Sequence, residues 1–381
     1  MKNIYYWSPC LTSVGTYRST INSAISLIKF SKNEFSVKII NVCGEWNKEK
    51  NFFKRNGIDV IDLGLNYFDI LPKTGFIKSR ISNIIIILLS IIPLIKFLYK
   101  YKIDFLIIHL ITSLPLVLIK IFNLKIKIFL RISGYPKLTL FRKTLWKHTS
   151  EKIFKITCPS NDLLKQLRNK KIFDDKKLRF LPDPIIRIEQ FLKQKKLYYE
   201  KNITRKYFIS VGRLTKQKNF EYLINEYSKF ISNNHEIDLY IFGEGEQKDY
   251  LQKKINNLSL ENRVFLKGYN KNIFFHMRNA QAFILSSLWE DPGFVLIEAA
   301  ANRALILSSD CPNGPAEFLE NDKCGYLFKN NDINDLGKKY NNLTLDNENI
   351  KKNKIYLALK KAKKYTIFNH SNKLIQILKG K

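Results

Sequence analysis

The sequence predicts an α/β protein built from two Rossmann-like domains. Short apolar runs alternate with helical patterns in the first half of the chain, the alternation stops in a charged stretch, and it then restarts. Apolar runs of this kind are typical of parallel strands that are buried on both faces. Two such arrays in a chain of 381 residues are expected to face each other across a cleft, with ligands at the carboxyl ends of the strands.

The first array is predicted from five apolar runs, each long enough for one strand. They are Ile4–Trp7, Val37–Val42, Phe105–Ile108, Ile126–Leu130 and Ile153–Cys158. Helical periodicity lies between them, for example over Ser19–Phe30 and Phe141–His148. We therefore expect a first Rossmann-like domain over residues 1–185.

A change of composition marks the end of the first array. Residues 186–205 follow two prolines and are charged without a clear period, which is typical of a linker. Strand-like runs such as "YFISVG", "DLYIFG" and "AFILSS" then return with helical patterns between them, and they predict a second Rossmann-like domain over residues 206–355. The basic residues 356–381 are expected to form a helix that packs back on the first domain.

Charge and cysteine usage limit the possible partners and compartment. The net charge of +32 favours an anionic partner: a nucleic acid, an acidic membrane surface or a phosphorylated substrate. A compositional bias toward Lys, Asn and Ile is the alternative source of that charge. The five cysteines contain no C-x-x-C pair, so a disulfide framework or zinc site is not expected and a reducing cytosol is favoured. No signal-peptide pattern opens the chain.

One apolar segment requires comparison with a membrane helix. Ile84–Ile95 carries no charge, and Arg80 precedes it while Lys96 follows it. Its 12 residues are fewer than the roughly 20 that a spanning helix needs. We expect a helix buried against the sheet. Contact with the bilayer interface stays open as the alternative, and the surrounding Lys and Arg residues favour it.

Two glutamates with seven residues between them follow one strand of the second array. Glu290 begins a turn that contains Gly293 and Phe294, and a helix is expected to begin at Val295. A helix N-terminus offers free N–H groups and a positive dipole end to an anion, and a glycine lets a ligand approach the backbone. Glu298 would then accept hydrogen bonds from hydroxyl groups of the same ligand. Helix capping by acidic residues is the alternative.

Two cations and a rigid turn accompany this element. Arg213 follows the first strand of the second array and Lys218 lies near the next helix start, so both are expected at one crevice, where they would suit a diphosphate. A solvated basic loop is the alternative. The turn "SDCPNGPAEFL", at residues 309–319, follows the next strand.

These blocks, in this order and spacing, resemble the retaining glycosyltransferases of family 4, which have the GT-B fold. The resemblance implies that Arg213 and Lys218 neutralise the donor diphosphate, that Glu298 holds the ribose, and that Glu290 and the backbone of residues 293–295 contact the donor sugar. It makes residues 1–185 the acceptor domain and residues 206–355 the donor-nucleotide domain, and it places the segment Leu266–Tyr269 near the nucleobase. Many members have Glu-Gly-Phe-Gly where this chain has Glu290-Asp291-Pro292-Gly293-Phe294. That variant resembles enzymes of bacterial surface-glycan assembly that use UDP-hexoses or UDP-N-acetylhexosamines.

The first array resembles the family less closely. Gly15 and Thr16 lie in a loop similar to the glycine loop near the donor, and His109 ends a strand where family members often place a catalytic histidine. Arg131 and Gly134 follow the next strand and are predicted to contact the acceptor. An ordinary turn at Gly15 and a buried core histidine at position 109 are the alternatives.

The sequence therefore predicts a cytoplasmic glycosyltransferase, peripheral on the inner face of the membrane. It would transfer a hexose or N-acetylhexosamine, with retention, to a glycan or a polyprenyl-linked or other lipid-linked glycan in polysaccharide or lipopolysaccharide synthesis. Catalytic roles fall to Arg213, Lys218, Glu290 and His109. No metal or other cofactor is expected, because no Asp-x-Asp occurs in the chain. A nucleotide-sugar epimerase and a nucleic-acid-binding protein are the alternatives; no nucleic-acid recognition motif appears.

Overall fold

The computed structural model describes residues 1–12, 15–72, 76–196, 205–231 and 237–380. They divide into two compact units: unit 1 contains Met1–Pro184 and Ile367–Lys381, and unit 2 contains Ile185–Thr366. Each unit is built on a parallel sheet. The prediction of two Rossmann-like α/β domains is confirmed.

The strands and helices of the described residues alternate along most of the chain. The strands are β1 (Lys2–Trp7), β2 (Phe35–Asn41), β3 (Asp59–Asp62), β4 (Phe105–Ile108), β5 (Lys127–Arg131), β6 (Ile153–Cys158), β7 (Leu178–Phe180), β8 (Lys206–Val211), β9 (Ile237–Phe242), β10 (Val264–Gly268), β11 (Ala282–Leu285), β12 (Ile306–Ser309) and β13 (Tyr326–Phe328). The helices are α1 (Gly15–Phe30), α2 (Lys50–Arg55), α3 (Phe76–Lys100), α4 (Ser113–Ile121), α5 (Leu140–Thr149), α6 (Asn161–Asn169), α7 (Ile188–Lys196), α8 (Phe220–Ile231), α9 (Lys248–Asn257), α10 (Ile273–Asn279), α11 (Phe294–Ala301), α12 (Pro315–Leu319), α13 (Asp335–Leu345), α14 (Glu348–Ala362) and α15 (Ile367–Leu378).

The sheet of unit 1 has the strand order β3-β2-β1-β4-β5-β6-β7 among the described residues. Successive side chains of a strand point to opposite faces, so Leu106 and Ile107 enter two different cores. The first core includes Leu94 and Phe97 of α3, and the second includes Leu27 of α1. The order reverses between β1 and β4, which makes the carboxyl ends of these two strands the switch point of unit 1.

Helix α15 belongs to unit 1 although it lies at the other end of the chain. It packs on α1, and Leu374, Ile377 and Leu378 enter the same core as Leu27. Buried polar contacts hold it as well, since the His370 imidazole lies 2.9 Å from the Ser23 hydroxyl and 2.7 Å from the Pro182 carbonyl oxygen.

The sheet of unit 2 has the order β10-β9-β8-β11-β12-β13 among the described residues. Its strands again feed two cores: Phe208 lies in one, and Tyr207 and Ile209 lie in the other. The strand order reverses between β8 and β11. The loops that follow these two strands therefore form the switch point of unit 2.

Two predicted boundaries differ from the structure. Residues 186–205 were expected to be a linker, but Ile188–Lys196 forms α7 within unit 2, because Phe191 stacks on Phe274 with ring centroids 4.3 Å apart. Residues 197–204 of that linker lie outside the described residues. The boundary expected at 355/356 falls inside α14, whose Ala358 and Ala362 are buried in unit 2, so the chain returns to unit 1 only at Ile367.

The apolar run at residues 84–95 lies in the long helix α3. Within the described residues, Lys78–Lys100 is the one segment that is long and apolar enough to cross a membrane by length and composition. A third of its most apolar window is buried inside the unit. One side of α3 thus packs on the sheet, but the other side is exposed, so the expectation of a buried helix is met on one side only.

Candidate functional site

The two predicted donor elements of unit 2 lie at its switch point. Arg213 and Lys218 are in the loop after β8, and Glu290 is in the loop after β11, the strand that pairs with β8. Side chains at the carboxyl ends of adjacent parallel strands meet at one edge of a sheet, where open α/β sheets bind their ligands. The sheet order therefore brings together residues that are 72 positions apart in sequence.

Hydrogen bonds join these two loops directly. The Leu288 N–H donates to the Gln217 carbonyl oxygen at 2.8 Å, and the Ser286 hydroxyl donates to the Lys218 carbonyl oxygen at 2.9 Å. The Gln217 side-chain amide donates to the carbonyl oxygen of Trp289 at 3.0 Å. These bonds fix the backbone on both sides of the site, so its charged groups are held by a preformed frame.

Lys218 and Glu290 form an almost buried ion pair within that frame. Their side chains are 12% and 7% exposed, and the Lys218 ammonium contacts Oε1 of Glu290. The Ser287 hydroxyl donates to the same oxygen at 2.6 Å. Within the described residues, Oε2 of Glu290 has no hydrogen-bond partner, so it is the oxygen that can accept a bond from a ligand.

Arg213 is the second cation at this edge and is placed differently. Its side chain is exposed, and the described residues offer it neither an ion-pair nor a hydrogen-bond partner. A guanidinium in this situation keeps its full donor capacity for a phosphate group. The site thus combines one cation shared with a carboxylate and one cation available to a ligand.

The start of α11 completes the edge. Gly293 precedes the helix with φ of 92°, a left-handed conformation that favours glycine, and Phe294 is the first helical residue, followed by Val295. The N–H groups at the start of a helix have no partners inside the helix. Glu298 lies in the next turn and is 3% exposed.

Glycines permit close backbone contact beneath the site. A Cβ atom on Gly243 would lie 1.8 Å from the Gly212 carbonyl oxygen, and one on Gly314 would lie 2.3 Å from the carbonyl oxygen of Pro292. The "FGEGE" turn and the "SDCPNGP" turn therefore pack directly on the loops that carry the site. A side chain at either position would push those loops apart.

Three supporting residues were missed by the sequence reasoning. Ser287 orients Glu290, Ser309 donates to the Ser287 carbonyl oxygen at 2.7 Å, and Asn330 donates to the carbonyl oxygen of Leu288 at 2.9 Å. The adjacent serines at each strand end are a weak sequence signal, because a strand-end serine is common in any turn. Their role becomes visible only in the structure, where their hydrogen bonds join loops that are distant in sequence.

The predicted nucleobase segment lies at the end of β10. Gly268 accepts a hydrogen bond from the Gly243 N–H at 2.9 Å, and Tyr269 is 78% exposed. β10 is the edge strand and lies two positions from β8 in the sheet. Its assignment to a base stays a prediction.

Unit 1 contains a separate polar cluster at its own switch point. His109 follows β4 and is 6% exposed; its Nδ1 lies 3.2 Å from the Thr20 hydroxyl and its Nε2 2.5 Å from the Ser133 hydroxyl. Burial, with help from the charge of Arg131, lowers the pKa of His109 well below 6.5. The imidazole is therefore neutral at pH 7 and can exchange hydrogen bonds but cannot supply positive charge.

Arg131 does not have the place that an acceptor contact needs. It is 4% exposed and forms an ion pair with Asp183, to which the Ser19 hydroxyl also donates at 2.9 Å. A buried guanidinium that is paired in this way serves the fold, because exposing it would leave Asp183 buried without a counter-charge. The weak assignment of Arg131 to the acceptor is thus corrected to a structural role.

The remaining predicted residues of unit 1 are placed as follows. Gly15 and Thr16 begin α1, and the Thr16 carbonyl oxygen accepts a hydrogen bond from Thr20 at 3.0 Å. The preceding loop residues 13 and 14 lie outside the described residues. Gly134 lies in the bend after β5, next to Ser133. Gly15 and Thr16 are thus near His109 through Thr20, and their contact with a donor stays a prediction.

Comparison with known proteins now decides what kind of domain this site belongs to. Residues 193–361 match the protein family described as "Glycosyl transferases group 1". Most of unit 2 is therefore similar to the group 1 glycosyl transferases. The matched residues include every candidate site residue of unit 2, from Arg213 to Glu298.

Two curated relatives are similar over part of this chain. One is the poly(ribitol-phosphate) alpha-N-acetylglucosaminyltransferase of Staphylococcus aureus (strain COL), 31% identical over 136 residues, which are 36% of this chain and 28% of the relative. The other is the N-acetylgalactosamine-N,N'-diacetylbacillosaminyl-diphospho-undecaprenol 4-alpha-N-acetylgalactosaminyltransferase of Campylobacter jejuni, 35% identical over 124 residues, 32% of this chain and 33% of the relative. The matches span about a third or less of these relatives.

Solved structures are similar over the whole chain. The glycosyltransferase from Rickettsia africae ESF-5 has a TM-score of 0.77 at 17% identity, covering 100% of this chain and 98% of that one. Anabaena HepE, solved in complex with UDP and glucose, has a TM-score of 0.72 at 14% identity, covering 100% and 99%. At such identities the likeness concerns the fold alone, and it confirms the predicted GT-B fold.

Proposed function

We propose that this protein is a retaining glycosyltransferase of family 4. It moves a hexose or N-acetylhexosamine from a nucleoside diphosphate, with UDP as the favoured carrier, to a hydroxyl group of a glycan or lipid-linked glycan. One observation carries the proposal. Arg213, the Lys218–Glu290 pair and the start of α11 meet at the switch point of a group 1 glycosyl transferase domain.

The chemistry follows from the charges at that edge. A diphosphate leaves with negative charge, and fixed cations and N–H groups that already point at it stabilise the transition state without reorganising. Arg213 is free to form two parallel hydrogen bonds with phosphate oxygens. Lys218 is held in position by Glu290, and the first turn of α11 adds its N–H groups. The leaving group therefore needs no strong acid.

Glu290 is better suited to orient a sugar than to act as nucleophile or acid. Its Oε1 already accepts bonds from Lys218 and Ser287, and Oε2 is left to accept a sugar hydroxyl. Glu298, in the next turn of the same helix, is proposed to hold the ribose. His109 would act in unit 1 as a neutral hydrogen-bonding group near the donor sugar.

We further propose that transfer needs no divalent metal. Mg²⁺ and Mn²⁺ prefer clustered carboxylate oxygens. At the proposed diphosphate site the cations Arg213 and Lys218 take the place that such an ion would occupy, and the nearest carboxylate, Glu290, is already paired with Lys218. An added cation would be repelled there.

The proposed acceptors place the enzyme in surface-glycan synthesis, including polysaccharide or lipopolysaccharide. Names of relatives support this: one includes poly(ribitol-phosphate) and another a diphospho-undecaprenol-linked sugar. The proposed enzyme works in the cytoplasm, peripheral on the inner face of the membrane, where a lipid-linked acceptor would be within its reach. The net charge of +32 suits an anionic surface of that kind.

A melting-temperature screen tests the donor assignment. A ligand that binds only the folded state raises its melting temperature, so UDP and UDP-sugars are expected to raise it more than GDP, ADP and their sugars. The best donor is then incubated with and without glycan acceptors, and the anomeric configuration of the product is read by NMR. No shift with any nucleotide would refute the proposal, and an epimer formed without acceptor would identify an epimerase.

A further inference from the structure

Helix α3 presents a largely apolar stripe to solvent. Within the described part of unit 1, six large apolar side chains of this helix are 48–65% exposed: Ile81, Ile84, Leu88, Leu89, Ile92 and Tyr99. At 3.6 residues per turn they share one side of the helix, an arc of roughly 140°. Together they form what we call the α3 face.

The opposite side of the same helix is part of the core. Ile86, Leu94 and Leu98 are buried with the strand residues of unit 1, and the Phe97 ring packs edge-on against Tyr5 with centroids 5.3 Å apart. If α3 crossed a membrane on its own, it would remove these side chains from the sheet and expose that core to water. The helix therefore stays packed on its unit and offers only the α3 face to a partner.

The surroundings of the α3 face are strongly basic. Residues 76–152, which include α3, α4 and α5, contain 14 Lys and Arg but only two Asp and Glu. Lys96 and Lys100 are exposed on α3 itself, and Arg142, Lys143 and Lys147 are exposed on α5. The exposed ring of Tyr99 also meets Phe122, which follows α4, with centroids 6.0 Å apart and so extends the apolar surface.

We infer that the α3 face is a docking surface for an anionic lipid bilayer, on which α3 lies in the plane of the interface. An apolar stripe with cations at its borders fits acyl chains beside anionic headgroups, as in interfacial amphipathic helices. The docked enzyme would then reach a polyprenyl-linked acceptor by two-dimensional diffusion in the membrane; this step rests on the proposed function. The docking itself depends only on the α3 face and its cations.

Vesicle flotation tests the surface. The full chain is mixed with phosphatidylethanolamine vesicles that contain roughly 30–40% phosphatidylglycerol, which mimics an anionic leaflet. It is also mixed with vesicles of phosphatidylcholine alone. The variant carries Leu88→Glu and Ile92→Glu, at side chains that are 63% and 65% exposed. The matched control carries Ile333→Glu and Leu345→Glu in unit 2, at 69% and 84% exposed. Melting curves with and without UDP are recorded for all three proteins.

The wild type and the control are expected to float with anionic vesicles, to float less in high salt, and to be released by alkaline carbonate. The variant is expected to float at least tenfold less while it melts as the wild type does. Equal flotation of the variant, or retention after carbonate, overturns the inference. The inference is also overturned if the wild type binds no vesicles but forms a dimer, seen by light scattering, that the two substitutions dissociate. Flotation without a UDP-induced melting shift would refute only the proposed function.

Discussion

Arg213 and Lys218 make the same formal contribution of charge to the site, yet the structure predicts different consequences when each charge is removed. Arg213 is exposed and has no partner among the described residues, so Arg213→Ala should change the free energy of unfolding by no more than about 0.5 kcal/mol. If it contacts the departing diphosphate, its loss should cost on the order of 2–4 kcal/mol of transition-state stabilisation. That corresponds to roughly 30- to 1,000-fold in kcat/KM.

Lys218 should behave differently because its charge also stabilises a carboxylate. Its aliphatic chain lies over Gly212, so Lys218→Met retains that packing while it leaves Glu290, 7% exposed, without its cation. Removal of one partner from a largely buried pair costs roughly 2–4 kcal/mol of stability. We therefore expect Lys218→Met to lose both stability and activity. Adding Glu290→Gln should restore part of the stability but none of the activity.

The assay combines urea unfolding with initial rates for the donor that the melting screen identifies. Lys216→Ala is the matched control, since Lys216 is exposed in the same loop. Arg213→Ala within threefold of wild-type kcat/KM would refute its role at the diphosphate. A Lys218→Met protein as stable as the wild type would show that its pair with Glu290 contributes nothing to the fold.

Three further predictions concern metal, pH and backbone packing. Sugar transfer should persist in excess EDTA; activity that EDTA abolishes and one divalent ion restores would contradict the proposed diphosphate site. The pKa of His370 is lowered to about 3 by burial, and that of His109 also lies well below 6.5. The unfolded chain therefore takes up protons that the folded chain refuses, and the free energy of unfolding should fall as pH drops below about 6.5, by up to about 1.4 kcal/mol per unit for each histidine. His370→Gln should make that slope shallower in urea titrations at pH 7, 6 and 5, and an unchanged slope would contradict this. Gly243→Ala should displace the Gly212 backbone and lower the affinity for UDP. The control Gly337→Ala should leave that affinity unchanged, because nothing lies within 4 Å of the added carbon. Equal UDP affinities of the two variants would contradict the role of close packing at Gly243.

The sequence predicted the buried strands well and the exposed ones poorly. Phe105–Ile108 and Ile153–Cys158 agree with β4 and β6 to the residue, because strands buried on both faces are continuous apolar runs. β3, Asp59–Asp62, was missed because it lies at the edge of the sheet and has aspartates at both ends. Helix α7 was missed because its stability depends on Phe274, which lies more than 80 positions further along the chain.

The sequence predicted which residues belong to the candidate site but not how they contact one another. The order of Arg213, Lys218, Glu290 and Glu298 along the chain could be compared with a family pattern. Their meeting point depends on β8 pairing with β11 across two intervening strands of sequence, and a single sequence does not specify such pairing. For the same reason no sequence pattern indicated that Lys218 is paired with Glu290. It also could not distinguish a cleft-facing Arg131 from the one that Asp183 neutralises.

The position of α15 has a consequence for how this chain is made. The core that α15 shares with α1 joins residues such as Ser26 and Ser371, which are 345 positions apart. Synthesis proceeds from the N-terminus at roughly 5–20 residues per second, so the α1 side of unit 1 stays uncovered while all of unit 2 is translated. Unit 2 is continuous in sequence and can fold in that interval. Unit 1 is therefore begun before unit 2 and completed after it, and ribosomal stalling before Ile367 would release a chain whose unit 1 exposes apolar surface to aggregation.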